Sequence, residues 1–126
     1  MTIIKNYTDL QQSKKLAEIL PMESVDMYYP NRTDTKYQGA LPIEWKRGLQ
    51  LLSQEIPCWS LAALLNVLPK YIDGSVLRMD IGENDFNLWF DDLSGIVNIL
   101  LPDITKDNPI DACYEMILKL NEQKLL

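Results

Sequence analysis

The sequence predicts an α+β domain in which an antiparallel meander of three or four strands carries helices packed on one face. Three observations carry this expectation. Residues 76–91 alternate apolar and polar side chains between short turn clusters, residues 57–69 place leucines at helical spacing between two prolines, and a well-marked helix closes the chain from Asn108. The chain has 126 residues, enough for one domain over 1–126, because a chain of this size buries roughly two-thirds of the surface it exposes when unfolded. Its composition, 47% hydrophobic and 24% charged, matches ordinary globular proteins. A disordered chain would carry fewer aliphatic residues and more charge.

The first helix is expected to begin at Thr8-Asp9-Leu10-Gln11. This has the spacing of a capping box, with Thr8 accepting an orphan amide and Gln11 reaching back. Leu10, Leu16, Ala17 and Leu20 then fall on one stripe, and Pro21 ends the helix. Residues 24–29 read as a short strand with Val25, Met27 and Tyr29 on one face. Residues 30–42, rich in Pro, Asn, Asp and Gly, read as a loop. Trp45, Leu49 and Leu52 suit a helix over 43–53, although Gly48 weakens it by about 1 kcal/mol relative to Ala. In the leucine run, Ser60 is the expected N-cap. Leu61, Leu64, Leu65 and Leu68 line one face, and Ala62, Ala63 and Val67 predict a helix buried nearly all round, closed by Pro69.

Three strands are expected next. In 76–81, Leu77, Met79 and Ile81 point one way while Arg78 and Asp80 point the other. Residues 82–85 supply a turn. In 86–91, Phe86, Leu88 and Phe90 alternate with Asn87, Trp89 and Asp91. After a second turn at 92–95, residues 96–101 read as the third strand. Links this short favour antiparallel pairing, since parallel neighbours need a crossover of a dozen or more residues. The final helix has Asn108 as cap, Pro109 at its first position and Asp111 in its first turn. Its buried stripe is Ile110, Cys113, Ile117 and Leu120.

Charge and residue types exclude several function classes. Net charge is −6, from 18 acidic and 12 basic residues, and the basic residues are scattered. Phosphate binding needs clustered Lys and Arg, so nucleic acids and anionic membranes are not expected partners. No run approaches the ~18 apolar residues of a spanning helix. No secretory leader is visible, so a cytoplasmic location is expected, with Cys58 and Cys113 reduced and packed as small hydrophobes. By the same reasoning the sequons at Asn6 and Asn31 read as chance.

The chain contains no histidine. That removes Ser-His-Asp and Cys-His nucleophile arrangements, which need an imidazole to take a proton near neutral pH. It also removes Cys/His zinc sites, and two cysteines cannot complete a four-cysteine one. Neither phosphate-cradling glycine motif occurs. No catalytic residue, metal ligand or cofactor is therefore expected. A carboxylate-only hydrolase would draw on Asp80, Glu83, Asp85, Asp91 and Asp92 around the first hairpin, but solvated turn carboxylates lack the desolvation that raises a pKa.

Trp89 is the leading candidate for a binding residue. Strict alternation places it on the polar face with Arg78, Asp80, Asn87 and Asp91, and Trp is enriched at binding hot spots. The alternative is that a loop or the N-terminal segment covers it. Tyr28 and Tyr29 form a second aromatic pair beside the polar loop, with a place at the core edge as the alternative. The expected partner is another protein. An acidic mimic of nucleic acid is the second reading, the carboxylate hydrolase the third, and the oligomeric state is left open.

The stretches Ile56-Pro57-Cys58-Trp59-Ser60-Leu61-Ala62-Ala63-Leu64-Leu65-Asn66-Val67-Leu68-Pro69-Lys70 and Asn108-Pro109-Ile110-Asp111-Ala112-Cys113-Tyr114-Glu115-Met116-Ile117 resemble a group of small acidic proteins encoded in Bacteroides genomes and in their phages or mobile elements. Residues 12–20 and 26–29 are similar to the same group, and residues 31–55 are not. The resemblance implies a small accessory role. It carries over no activity and no functional residue, and its motifs coincide with helix caps and buried helical faces.

Overall fold

Three helices and two antiparallel sheets make up the computed structural model, which describes residues 5–30, 42–44, 55–93 and 100–126. Along the chain run α1 (Leu10–Ala17), a 3-10 turn (Met22–Ser24), β1 (Met27–Tyr29), β2 (Ile43–Glu44), β3 (Ile56–Cys58), α2 (Leu61–Val67), β4 (Tyr71–Ile72), β5 (Ser75–Ile81), β6 (Phe86–Asp92), β7 (Ile104–Lys106) and α3 (Pro109–Glu122). The fold class is α+β. One sheet is a four-stranded meander in the order β4-β5-β6-β7, and the other is ordered β2-β1-β3.

The start of α1 corrects the sequence reading by one residue. Asp9, not Thr8, is the N-cap: its carboxylate accepts from the Gln12 amide at 2.8 Å, and the Gln12 side chain accepts from the Asp9 N–H at 3.1 Å. Thr8 is fully buried, and its hydroxyl is used elsewhere: it accepts from the Trp59 N–H at 3.1 Å and shares a 2.8 Å bond with the Ser13 hydroxyl. The buried stripe is accordingly Ser13, Leu16 and Leu20, while Leu10 and Ala17 face solvent. A buried serine hides the true phase of such a helix, because period arguments weigh only apolar residues.

The short sheet was legible only at β1. Tyr28 pairs with Pro57 on β3 and with Ile43 on β2. A helix over 43–53 is thus contradicted at its start, where Ile43–Glu44 is a strand; residues 45–54 lie outside the described residues. Pro57 fits because β3 is an edge strand of this sheet, where a missing N–H costs no ladder bond.

The meander gains a strand at one side. Asp73 and Gly74 adopt φ of 49° and 82°, so both central residues of the turn joining β4 to β5 are left-handed, as a two-residue primed hairpin turn requires. On the other side, the expected strand at 96–101 is corrected. Residues 100–103 are not strand, and β6 pairs instead with Ile104–Lys106, in the register Leu88↔Ile104 and Phe86↔Lys106; residues 94–99 lie outside the described residues. Polar neighbours on both sides of Ile104 conceal a strand of three residues, one of which is buried.

Helices α2 and α3 start as predicted, with the Ser60 hydroxyl accepting from the Ala63 amide and Asn108 accepting from the Asp111 amide. The α2 helix is less enclosed than its composition suggests, since Ala62 and Asn66 face solvent. α3 packs on β6, β7 and α2. One cluster joins Leu16 and Leu20 of the first helical segment, Trp59, Leu64 and Leu68, Phe86, Leu88 and Ile104 of the meander, and Ile110, Cys113, Met116, Ile117 and Leu120 of α3.

Candidate interaction surface

Alternation along a strand sends successive side chains to opposite faces, and the burial of β5 and β6 shows which face is which. Leu77, Phe86, Leu88 and Phe90 belong to the helix-covered side. Val76, Arg78 and Asp80 on β5 stand opposite Asp91, Trp89 and Asn87 on β6, and so share the other face. Tyr71 joins them across β4, opposite Val76, and is 70% exposed.

Trp89 sits at the middle of this outer face, half-buried and directly across from Arg78. The Arg78 guanidinium reaches the Asp91 carboxylate at 3.5 Å, and the Thr105 hydroxyl donates to the Asn87 side-chain oxygen at 3.2 Å. The face is therefore an aromatic centre bordered by an exposed tyrosine, an ion pair and uncharged polar groups. An aromatic or Arg anchor within a polar rim is the composition of protein interaction patches. Tyr71 was missing from the sequence reading. The signal that finds it is Asp73-Gly74, a strong hairpin dipeptide that puts Tyr71 opposite Val76.

Tyr28 and Tyr29 lie in the other sheet and do not join Trp89. As consecutive residues of β1 they point to opposite faces. The Tyr29 hydroxyl donates to the Thr8 carbonyl at 2.7 Å, and burial, with the Cys58 thiol nearby, pushes its pKa well up. Tyr29 is a tie between β1 and the start of α1. Around that tie, the Cys58 thiol donates to the Thr8 carbonyl at 3.4 Å, the Trp59 indole N–H donates to the Ser24 hydroxyl at 2.9 Å, and Asp26 accepts from both the N–H and the hydroxyl of Ser60. This network fastens the N-terminal segment, β1 and the start of α2 to one another.

Both cysteines are free and buried. Burial raises the Cys58 pKa despite hydrogen bonds from Thr8 and Ser13, and pushes the Cys113 thiol up to about 12. Nucleophilic chemistry uses the thiolate, so neither side chain is poised for it.

The acidic residues of the first hairpin do not converge. Asp80, Glu83 and Asp85 are exposed, Asp91 is held by Arg78, and Asp92 lies half-buried on the opposite face. None of them lines either of two surface grooves. One groove, about 340 Å³, runs between Leu100–Ile104 and the end of α3; the other, about 250 Å³, is bordered by Lys5, Asp9, Gln12, Lys106, Asp111 and Tyr114. In the second, the Lys5 ammonium bridges Asp9 at 3.1 Å and Asp111 at 2.8 Å. Burial works to raise the Asp111 pKa, but hydrogen bonds from Lys5, Asn108 and Gln12 hold it below the usual carboxylate range. A carboxylate so occupied is a structural clamp between the N-terminus and α3, not a free acid.

Among the described residues, no group of three or more Cys, Asp or Glu side chains is placed to hold a metal, and no helix is long and apolar enough to cross a membrane. Compared with protein-family models, curated proteins and solved structures, the chain finds no match.

Proposed function

We propose that the protein is a non-enzymatic accessory protein that works by contact, docking another protein on the outer face of its four-stranded sheet. The observation that supports this most is the position of Trp89, at the centre of a face whose opposite side is the core. Holding a Trp there retains apolar area that a surface of small polar groups would not. Of the groups bordering it, Arg78 pairs with Asp91 and Thr105 with Asn87, as in the rim of an interaction patch. A nucleic-acid mimic needs a continuous acidic stripe, and Arg78, Trp89, Asn87 and Thr105 interrupt one here. The proposal includes the accessory role, in a phage or mobile-element setting, that the resemblance implies.

Site-specific photocrosslinking tests the reading. A photoreactive phenylalanine analogue at Tyr71 is expected to give a discrete heteromeric adduct in cells of the native host, while the same analogue at Lys119 on α3 gives none. Adducts of equal pattern and yield from both positions would contradict a docking face at the meander.

A further inference from the structure

Among the described residues, the four-stranded sheet has an open edge where β5 outruns β4. β4 covers only Ser75 and Val76. Two hydrogen bonds fix which way the backbone groups of β5 point. The Leu77 N–H donates to the Lys70 carbonyl at 3.0 Å, on the β4 side, and the Gly82 N–H donates to the Asp85 carbonyl at 2.9 Å, on the β6 side. Successive residues of a strand alternate in this respect, so the N–H and C=O of Met79 and Ile81 point off the open edge. Neither has a strand partner there among the described residues.

The side chains at the same place are unlike those of a protected edge. Natural edge strands are blunted by charged residues, lysine above all, by proline or by a bulge; over Met79–Ile81 the only such device is Asp80, set between two exposed apolar residues. Met79 is 48% and Ile81 78% exposed, although they share a face of β5 with Leu77, which packs against the core. Asp80, between them on the outer face, has no ion-pair partner among the described residues, and Glu83 and Asp85 of the adjoining turn have none either.

We propose that this edge accepts an extended segment of the partner protein, with a lysine or arginine between two apolar residues, as an added strand beside Met79–Ile81. Main-chain hydrogen bonds to Met79 and Ile81 would hold the segment, and alternate side chains would select it. Its apolar residues lie beside Met79 and Ile81, and its basic residue lies opposite Asp80, within the field of Glu83 and Asp85. A second copy of this chain fits less well. Antiparallel pairing centred on Met79 brings Ile81 onto the stretch of edge already held by Lys70, and pairing centred on Asp80 sets two Asp80 carboxylates face to face. The inference rests on the reading of the protein as a protein-binding module, and its edge is distinct from the Trp89 face.

The test is an amide-resolved NMR titration of the full chain with two blocked peptides, Thr-Val-Lys-Val-Thr and Thr-Val-Glu-Val-Thr. The lysine peptide is expected to shift the Met79 and Ile81 amides and to slow their hydrogen exchange. The glutamate peptide should bind about threefold to tenfold more weakly, and Asp80→Lys should invert that order. Met79→Lys, which adds an edge-protecting charge, should abolish binding with the rest of the spectrum unchanged. Equal affinity for the two peptides, or no change at Met79 and Ile81 at millimolar peptide, overturns the inference. So does concentration-dependent self-association that protects these two amides without peptide. Shifts centred on Asn87 and Trp89 alone overturn the edge site while leaving the docking face standing, whereas edge shifts with an unresponsive Trp89 support the edge site and leave the docking face to the crosslinking at Tyr71.

Discussion

Thr8 shows how much one buried polar residue can organise. Its backbone N–H donates to the Trp59 carbonyl at 2.9 Å, its carbonyl accepts from Tyr29 and Cys58, and its hydroxyl meets Trp59 and Ser13. Removing the hydroxyl strands a buried N–H, at a cost of about 1–3 kcal/mol. Thr8→Val, nearly the same shape, is therefore expected to lower the unfolding free energy by that amount, read as a lower urea midpoint with the slope unchanged. The Lys5–Asp111 clamp predicts the pH dependence. Asp111 titrates below its ordinary value when folded, so its contribution is present above the unfolded carboxylate pKa and fades as pH falls through the depressed folded value. Burial alone would lower the Lys5 pKa, but bonds to Asp111 and Asp9 raise it overall; its contribution is present below its ordinary value and is lost as pH rises past the raised one. Asp111→Asn should flatten the acid limb of a stability–pH profile, and a profile identical to that of the parent would refute the clamp. At residue scale these ties leave no mark in the sequence pattern, because Thr8, Tyr29 and Asp111 each had a simpler local role available.

Elements were most legible where local chemistry and burial agree. Ser60 and Asn108 are caps whose other contacts do not compete with capping, since the Ser60 hydroxyl accepts from Ala63 while donating to Asp26, and both helices begin where expected. Where tertiary demand captured the local signal, the boundary moved: Thr8 lost the cap to Asp9. Where an element is too short for periodicity, as in β3, β4 and β7, sequence pattern alone is silent, and only the Asp73-Gly74 turn advertises a hairpin. Asn108→Ala should destabilise the protein by about 1 kcal/mol, read as a shift in thermal or urea midpoint. At the other end of α3, Lys124 has φ of 60° and its neighbour Leu125 donates back to the Leu120 carbonyl at 2.9 Å. A left-handed position after a helix favours glycine, so Lys124→Gly is expected to stabilise by a few tenths of a kcal/mol up to about 1 kcal/mol.

Across the whole molecule, α3 closes one side of the meander with α2 packed against it, and the described elements leave the other side to Tyr71, Val76, Arg78 and Trp89. The α+β meander was readable because alternation is clear in both 76–81 and 86–91, on either side of a turn. The second sheet was not, because its strands come from three separated stretches of chain and are each two or three residues long. Function follows the same division. Exclusions follow from residue types, but the surface that remains is visible only once β4 and the open edge of β5 are placed. The protein labelled with 5-fluorotryptophan allows the most direct measurement, with Trp89→Phe and Trp59→Phe assigning their two lines among the three tryptophan resonances. A soluble gadolinium chelate is predicted to broaden the Trp89 fluorine line and to spare that of Trp59, which is fully buried. A Trp89 line as protected as that of Trp59 would mean the face is covered, and the docking account would be wrong.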